Sequence, residues 1–297
     1  MTSTTVARGS IIIPAHNEAS VIGRTLAQLS HAADDGVIEV IVVCNGCTDR
    51  TADVARTAPG VRVIEIAEAS KTAALNTGDR NAGAWPRIYL DADIVAGLDS
   101  LLAVIDELES SSRIVAARPT ALYDTANAHF LVASYYRART RIPSLHSALW
   151  GAGVYALNKV GHESIGGQFP NVIGNDLFVD SHIDPQQKAI LETQPVIVRT
   201  PQRPTDLIRV LRRNHQANTQ YFRREGTDES AERVSDSTKL KTLRNIGHSL
   251  HGPHSMLDAL IFLAFATISR VSFARRDSTH LWQRDESSRT PIRALGD

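Results

Sequence analysis

Apolar positions in the first 120 residues fall into two alternating patterns. Residues 10–13, 38–43, 61–66, 88–90 and 114–117 are short, near-continuous runs rich in Val and Ile, as expected of strands buried on both faces. Between them lie helical segments. One is capped by Ser20, with Val21, Ile22, Leu26 and Leu29 recurring near a 3.6 period. Others run from Thr48 to Arg56, from Ser70 through Asn76, and from Leu98 to Glu109. Strands alternating with helices of this length predict right-handed crossovers and an α/β fold, a mainly parallel sheet flanked by helices. Ligands of such sheets sit beyond the carboxyl ends of the strands, which points to the segments after Ile13, Val43, Ile66 and Leu90.

The pattern changes beyond about residue 120. A helix is expected over 126–140, carrying Arg137, Arg139 and Arg141, followed by a glycine-bearing stretch at 150–157. Residues 166–176 are too rich in Gly and Pro for regular structure. From Arg199 to Arg224 there are seven arginines and one acid, Asp206, a net +6. Residues 227–242 are polar, with a loop or a loosely held helix expected. Residues 256–274 are apolar but interrupted by Asp258 and Arg270, so the longest uncharged stretch, 259–269, has 11 residues. That is short of the ~18 that suggest a membrane span. The first nine residues hold one arginine and no apolar run, so no secretory leader is expected there.

Charge and composition narrow the class. The 297 residues include 32 Lys+Arg and 32 Asp+Glu, which argues against a nucleic-acid binder relying on bulk positive charge. Hydrophobic residues at 42% and charged ones at 22% exclude wholesale disorder. Two cysteines cannot staple a chain of this length, so the fold rests on its core, and a reducing, cytosolic setting is expected.

The strongest local chemistry is Asp91-Ala-Asp93 at the end of an apolar strand. Two carboxylates so placed can reach one hydrated hard cation, Mg²⁺ or Mn²⁺, which bridges readily to phosphate. The plainer reading is a turn that caps the helix near Leu98. Cys44-Asn-Gly-Cys47, between a strand and a helix, raises a redox pair. Two thiols cannot complete a four-ligand zinc site, however, and a redox fold leaves Pro14 to Glu18 unexplained. The preferred reading is that both cysteines shape the loop after the second strand. Asp91-Ala-Asp-Ile-Val95 also fits the nucleophile motif of haloacid dehalogenase-type phosphatases, with Asp176 to Asp180 as distal metal-binding aspartates. That motif normally lies on the first strand of its fold, whereas three strand–helix units precede it here. A non-catalytic nucleotide-binding module is the third reading.

Five elements in order over residues 9–184 resemble inverting family 2 glycosyltransferases of the GT-A fold. They are Ile11-Ile-Ile-Pro-Ala-His-Asn-Glu18, Glu39-Val-Ile-Val-Val-Cys-Asn-Gly-Cys-Thr-Asp49, Lys71-Thr-Ala-Ala-Leu-Asn76, Asp91-Ala-Asp93 and Phe169-Pro-Asn-Val-Ile-Gly-Asn-Asp176. The resemblance implies a nucleotide-sugar donor across the strand ends, its base near Pro14, Ala15, Glu18 and Asn45. Lys71, Asn76 and Asp91 complete the donor site, and Asp93 holds the cation against the diphosphate. Asp176 takes the proton of an attacking acceptor hydroxyl, and direct displacement inverts the anomeric carbon. Many members of that family have an aspartate where this chain has Cys44 and Asn45. An amide both donates and accepts, so the base recognised stays open.

The resemblance implies a GT-A catalytic domain over 9–200, with a nucleotide-binding half at about 9–118 and an acceptor half at about 119–200. Residues 201–297 form a helical C-terminal extension. His182 or His215 is a candidate further metal ligand, His182 the preferred one. The arginines of 207–224 are read either as a solvated helix face or as a basic wall for a diphosphate or a phosphorylated acceptor. Residues 256–274 are read as a core helix or as a membrane-interface helix with Arg275 and Arg276 at the headgroups. The expected partners are a nucleotide-sugar and a carbohydrate or lipid-linked acceptor, at a cytoplasmic location with peripheral contact at the inner membrane face as the alternative.

Overall fold

The structure is a computed structural model that describes residues 6–224 and 252–274. The expectations for residues 227–242, for Arg275 and Arg276, and for the first five residues lie outside the described residues. The chain order is β1 (Ser10–Ala15), α1 (Ile22–Leu26), α2 (Ser30–Asp34), β2 (Glu39–Asn45), α3 (Thr51–Arg56), β3 (Val61–Ile66), α4 (Lys71–Asn81) and β4 (Arg87–Leu90). Then follow α5 (Leu98–Ser110), β5 (Ala116–Asp124), α6 (Phe130–Thr140), α7 (Pro143–His146), β6 (Val154–Leu157), α8 (Lys159–Ser164) and α9 (Asn175–His182). The described chain ends with β7 (Lys188–Arg199), α10 (Pro204–Arg224) and α11 (Pro253–Ala274).

One seven-stranded sheet runs β3-β2-β1-β4-β6-β5-β7. The pairs β1–β2, β1–β4, β2–β3 and β5–β7 are parallel, and only β6 runs against its neighbours. Ile11, Ile12 and Ile13 are fully buried, the consequence of a central strand covered on both faces. The edge strand β3 instead exposes Arg62 and Glu65, charges that discourage edge-to-edge pairing. Because β6 is antiparallel, its leading residues lie beside the trailing end of β4: Leu90 pairs with Val154, and the Asp91 amide donates to the Gly153 carbonyl at 2.8 Å. Helix α4 lies close on β1. A Cβ at Gly78 would stand 2.3 Å from Ile12 Cγ2, so only glycine permits that approach.

Several elements differ from the sequence expectation for local reasons. The helix expected from Ser20 is two short ones, and Ser20 does not cap it; the Glu18 carbonyl takes the Val21 and Ile22 amides at 3.0 and 2.9 Å. Helix α3 starts at Thr51 rather than Thr48, because Asp49 accepts the Thr51 amide at 3.0 Å while Thr48 is bonded to Asn17. Ser70 does cap α4, accepting from the Ala73 amide at 3.1 Å. Strand β6 falls in the glycine-bearing stretch, and β7 was not anticipated. Its polar residues, among them Glu192, Thr193 and Gln194, interrupt the apolar pattern. The segment expected to be irregular through 176 becomes helical at Asn175.

Helix α11 packs one face on α6, with Phe262 stacked on Tyr135 at 5.0 Å between ring centroids. Asp258 is buried and pairs with Arg137 at 2.8 Å and Arg141 at 3.1 Å. The opposite face exposes Met256, Leu257, Leu260, Ile268 and Val271. By length and composition residues 253–271 are apolar enough to cross a membrane. This corrects the expectation drawn from the 11-residue uncharged run, since Asp258 and Arg270 only interrupt a longer apolar stretch. Among the described residues one face of α11 is buried and the other exposed.

Candidate active site

The loops after β1 and β2 are zipped together by side chains that the sequence placed in one motif each. Asn45 is buried and its Nδ2 donates to the Ala15 carbonyl at 2.9 Å. Asn17, the one non-glycine residue with positive φ among the described residues (52°), accepts the Thr48 amide at 2.6 Å. The Glu18 amide donates to Thr51 Oγ1 at 2.7 Å, and the His16 ring bonds the Asn45 carbonyl. These bonds set Pro14, Ala15, buried Glu18 and Asn45 along one rim at the carboxyl edge of the sheet. One N–H of the Asn45 amide is thereby used, and its Oδ1 is buried without a partner among the described residues.

Cys44 and Cys47 belong to this zipper rather than to a redox pair. Both are free thiols; Cys47 Sγ accepts from the Asn17 amide and donates to the Ala15 carbonyl, each at 3.4 Å. Burial, reinforced by Cys47, pushes the Cys44 thiol up to about 12, far from the thiolate character that exchange requires.

Beyond β4, Asp91 and Asp93 stand on a turn that does not cap the next helix: Gly97 occupies that position, with no side-chain cap. The turn is fixed from three sides. Thr25 Oγ1 donates to the Ala92 carbonyl at 2.8 Å, and the Ile197 amide of β7 donates to the Val95 carbonyl at 3.0 Å. Gly153, at φ 67°, is the third, because a Cβ there would stand 2.5 Å from the Ile94 side chain. Lys71, at the start of α4, pairs with Asp91 at 2.5 Å. Burial opposes the Lys71 charge, but Asp91 and then Asp176 outweigh it and hold the ammonium above its ordinary value.

Asp176 reaches the same opening from the first turn of α9. Its Oδ2 accepts the Gly151 amide at 3.0 Å and its Oδ1 the Leu177 amide at 2.9 Å. Tyr155 of β6 lies beneath. Burial pushes its phenol well above the usual range, and Asp176 and Asp91 add to the rise. Asn76 does not join the rim: its Oδ1 accepts the Phe169 amide at 2.8 Å and its Nδ2 donates to the Phe169 carbonyl at 2.9 Å. His182 is exposed at the far end of α9 from Asp176, its ring 4.1 Å from that of Phe178. His215 faces α11 instead, bonded to Ser269 Oγ at 3.1 Å.

The donor set suits a hard cation. Asp93 is a partly exposed carboxylate beside the opening, although no group of three His, Cys, Asp or Glu side chains converges among the described residues. A cation held there would take most of its ligands from a phosphate-bearing ligand. The sequence reading missed Thr25, Tyr155 and the Trp150–Gly153 loop. Only the glycine spacing of that loop signalled it.

Residues 10–149 match the family model described as Glycosyl transferase family 2. No curated protein matches the sequence. A mannosyltransferase from Pyrobaculum calidifontis, solved with GDP-Man and Mn²⁺, is similar at 17% identity, with a TM-score of 0.60 over 92% of this chain and 88% of that chain. Glucosyl-3-phosphoglycerate synthase from Mycobacterium tuberculosis is similar at 19% identity and a TM-score of 0.53. The match covers 73% of this chain and 79% of that one, both in its complex with Mg²⁺ and UDP and in that with phosphoglyceric acid. These likenesses establish the GT-A fold. The family match, with Asp91 on the fourth strand and engaged by Lys71, rules against the phosphatase reading.

Proposed function

We propose that this chain, which carries a family 2 glycosyltransferase domain of the GT-A fold, moves a hexosyl or related sugar from a nucleotide-sugar to an acceptor hydroxyl with inversion. The observation that carries the reading is the gathering of Lys71, Asp91 and Asp176 at one opening on the carboxyl edge of the sheet. The nucleotide-binding half is taken as residues 9–118, the acceptor half as 119–200, and the helical extension as 201–297.

The base lies along Pro14, Ala15, Glu18 and Asn45. Glu18 and Asp91 accept from the ribose or the base edge. Lys71 balances charge between Asp91 and the diphosphate, while Asn76 orders the segment that leads to Asp176. Asp93 is the residue that would hold Mg²⁺ or Mn²⁺; when bound, such an ion offsets charge on the departing nucleoside diphosphate. His182, at the other end of α9, is outside this proposal.

Asp176 removes the proton of the acceptor hydroxyl, its carboxylate aimed by the Gly151 and Leu177 amides. Attack opposite the leaving group inverts the anomeric configuration. The acceptor is a carbohydrate or a lipid-linked one, as in polysaccharide or glycolipid assembly. The exposed apolar face of α11 supports peripheral contact at the inner face of a membrane. A thermal-shift screen of nucleoside diphosphates with Mn²⁺ tests the reading. One base alone should raise Tm, and the matching nucleotide-sugar should be hydrolysed slowly without acceptor. No rise with any base would sink it.

A further inference from the structure

Two arginines near Asp176 are withdrawn from water without a carboxylate to balance them. Arg118 on β5 is 4% exposed and spends its donors on carbonyls: Nε on Ala148 at 2.7 Å, Nη1 on Pro119 at 2.8 Å and Nη2 on His146 at 3.1 Å. Arg139 on α6 is partly buried, its guanidinium carbon 5.2 Å from the Tyr123 ring centroid and 5.3 Å from that of Trp150. Its Nη2 donates to the Tyr123 hydroxyl at 3.1 Å, and that hydroxyl donates to the Gly151 carbonyl at 2.9 Å.

Among the described residues other arginines do have a carboxylate partner, while Arg24, beside Asp93, has a buried Nε and no carboxylate at ion-pair distance. Arg87 pairs with Asp79 at 3.0 Å, and Arg137 and Arg141 share Asp258. Arg118 and Arg139 have no carboxylate at ion-pair distance among the described residues. Burial lowers the Arg118 pKa and Arg139 is among the charges that lower it further, whereas at Arg139 burial is outweighed by Tyr123 and Tyr135 rather than by any carboxylate. Asp180, a carboxylate that opposes the lowering at Arg118, is already paired with Lys188 at 3.0 Å. Buried charge is costly unless balanced, so this positive potential suits an anion from outside the chain.

The position of Arg139 says where that anion would lie. A Cβ on Gly151 would stand 2.7 Å from Arg139 Nη2, and the Gly151 amide bonds Asp176. The guanidinium is therefore one residue away from the carboxylate assigned to the acceptor hydroxyl. The Tyr123 and Trp150 rings beside it replace part of its hydration, which strengthens charge-assisted bonds.

We propose that the acceptor carries a phosphate, as a monoester or a diester, which Arg139 grips beside Asp176 while Arg118 adds positive potential from behind. The proposal rests on the glycosyltransferase reading and names its acceptor class. Such a phosphate could sit on a soluble metabolite or on a lipid, and Arg139 would recognise the same oxygens in both.

Calorimetry on the full chain, with a nucleoside diphosphate and Mn²⁺ filling the donor site, measures inorganic phosphate binding. Arg139→Gln should weaken it about tenfold or more, and Arg139→Lys should recover part of the loss. Should Arg139→Gln not fold, Tyr123→Phe removes the bond that orients the guanidinium and must also weaken phosphate. Transfer is then compared between glycerol and glycerol phosphate, and between phosphatidylcholine vesicles holding diacylglycerol or phosphatidylglycerol, each of which carries a free acceptor hydroxyl. The phosphorylated member of one pair should be preferred about tenfold in kcat/KM, with the preference collapsing in Arg139→Gln; the pair that responds identifies the source. Equal phosphate affinity in wild type and variant, or equal use of the neutral members, overturns the proposal. Arg139-dependent phosphate binding without turnover of any nucleotide-sugar leaves the anion site standing and removes the glycosyltransferase reading instead.

Discussion

Asn76 and Phe169, 93 residues apart, are joined by a two-point bond between one carboxamide and one backbone unit. A second link from Asn175 Nδ2 to Thr72 Oγ1, at 3.1 Å, ties the start of α9 to the start of α4. The helices that carry Lys71 and Asp176 are thus tied together near both residues. Asn76→Ala leaves the Phe169 amide and carbonyl unmatched, with an expected stability loss of about 1–3 kcal/mol. The same variant should lower kcat, since the Asp176 segment loses its anchor. Denaturant melts and steady-state kinetics on one preparation check both; a stability loss with unchanged kcat would refute the anchoring role.

Asp176→Asn keeps the shape of the side chain and an acceptor for one amide but cannot take a proton. The expected result is a fall in transfer rate of about 10²–10⁴ with donor affinity little changed. Single-turnover rates beside donor binding by calorimetry separate the two. Comparable losses in both would mean that Asp176 binds donor rather than serving as base.

Asn45→Ala and Asn45→Asp part the two ends of one amide. Alanine removes both the bond to Ala15 and the leftover acceptor. Aspartate restores the acceptor while losing the donor, and places its charge beside the Ala15 carbonyl. Nucleoside diphosphate affinity should fall roughly tenfold or more in the alanine variant and recover in part with aspartate. Equal affinity for all three proteins, read by titration, would place the base elsewhere.

The attachment of α11 is pH-sensitive, with a fixed sign. Burial works against ionised Asp258, but hydrogen bonds from Arg137, Ser134 and Arg141 outweigh it and hold the carboxyl below its usual value. The stabilisation is therefore present above the ordinary carboxylate range and lost as pH falls through the depressed value. Hydrogen exchange of α11 amides should quicken steeply in acid, and Asp258→Asn should already exchange faster at neutral pH with less acid dependence. Identical pH profiles for the two proteins would exclude the ion pair as the cause.

What could be read from the sequence was local. Residues 11–13 announce a strand buried on both faces, and the Ser70 cap announces α4. The ends of such strands are where a parallel sheet holds ligands, so the rim of Pro14, Ala15, Glu18, Asn45 and Asp91 was legible. Contacts across long separations were not. Asn76 entered the donor site through the resemblance, which says nothing of its bonds to Phe169, and Arg139 was one of three arginines on an expected helix. Its place became visible only when β6, running against its neighbours, carried Trp150 and Gly151 past Asp91. Strand β7 was hidden because its polar residues break the alternation that marks a strand.

The hydrogen at Gly78 acts as a ruler for the active site. Two helical turns, about 10 Å, separate it from Lys71 on the same rigid helix. Ile12 leaves no room there for even a methyl group, so the height of α4 above β1 is set by the absence of one carbon. That height also sets where the Lys71 ammonium meets Asp91. A change confined to the hydrophobic interior, far from any ligand, would then register first as a charge out of place.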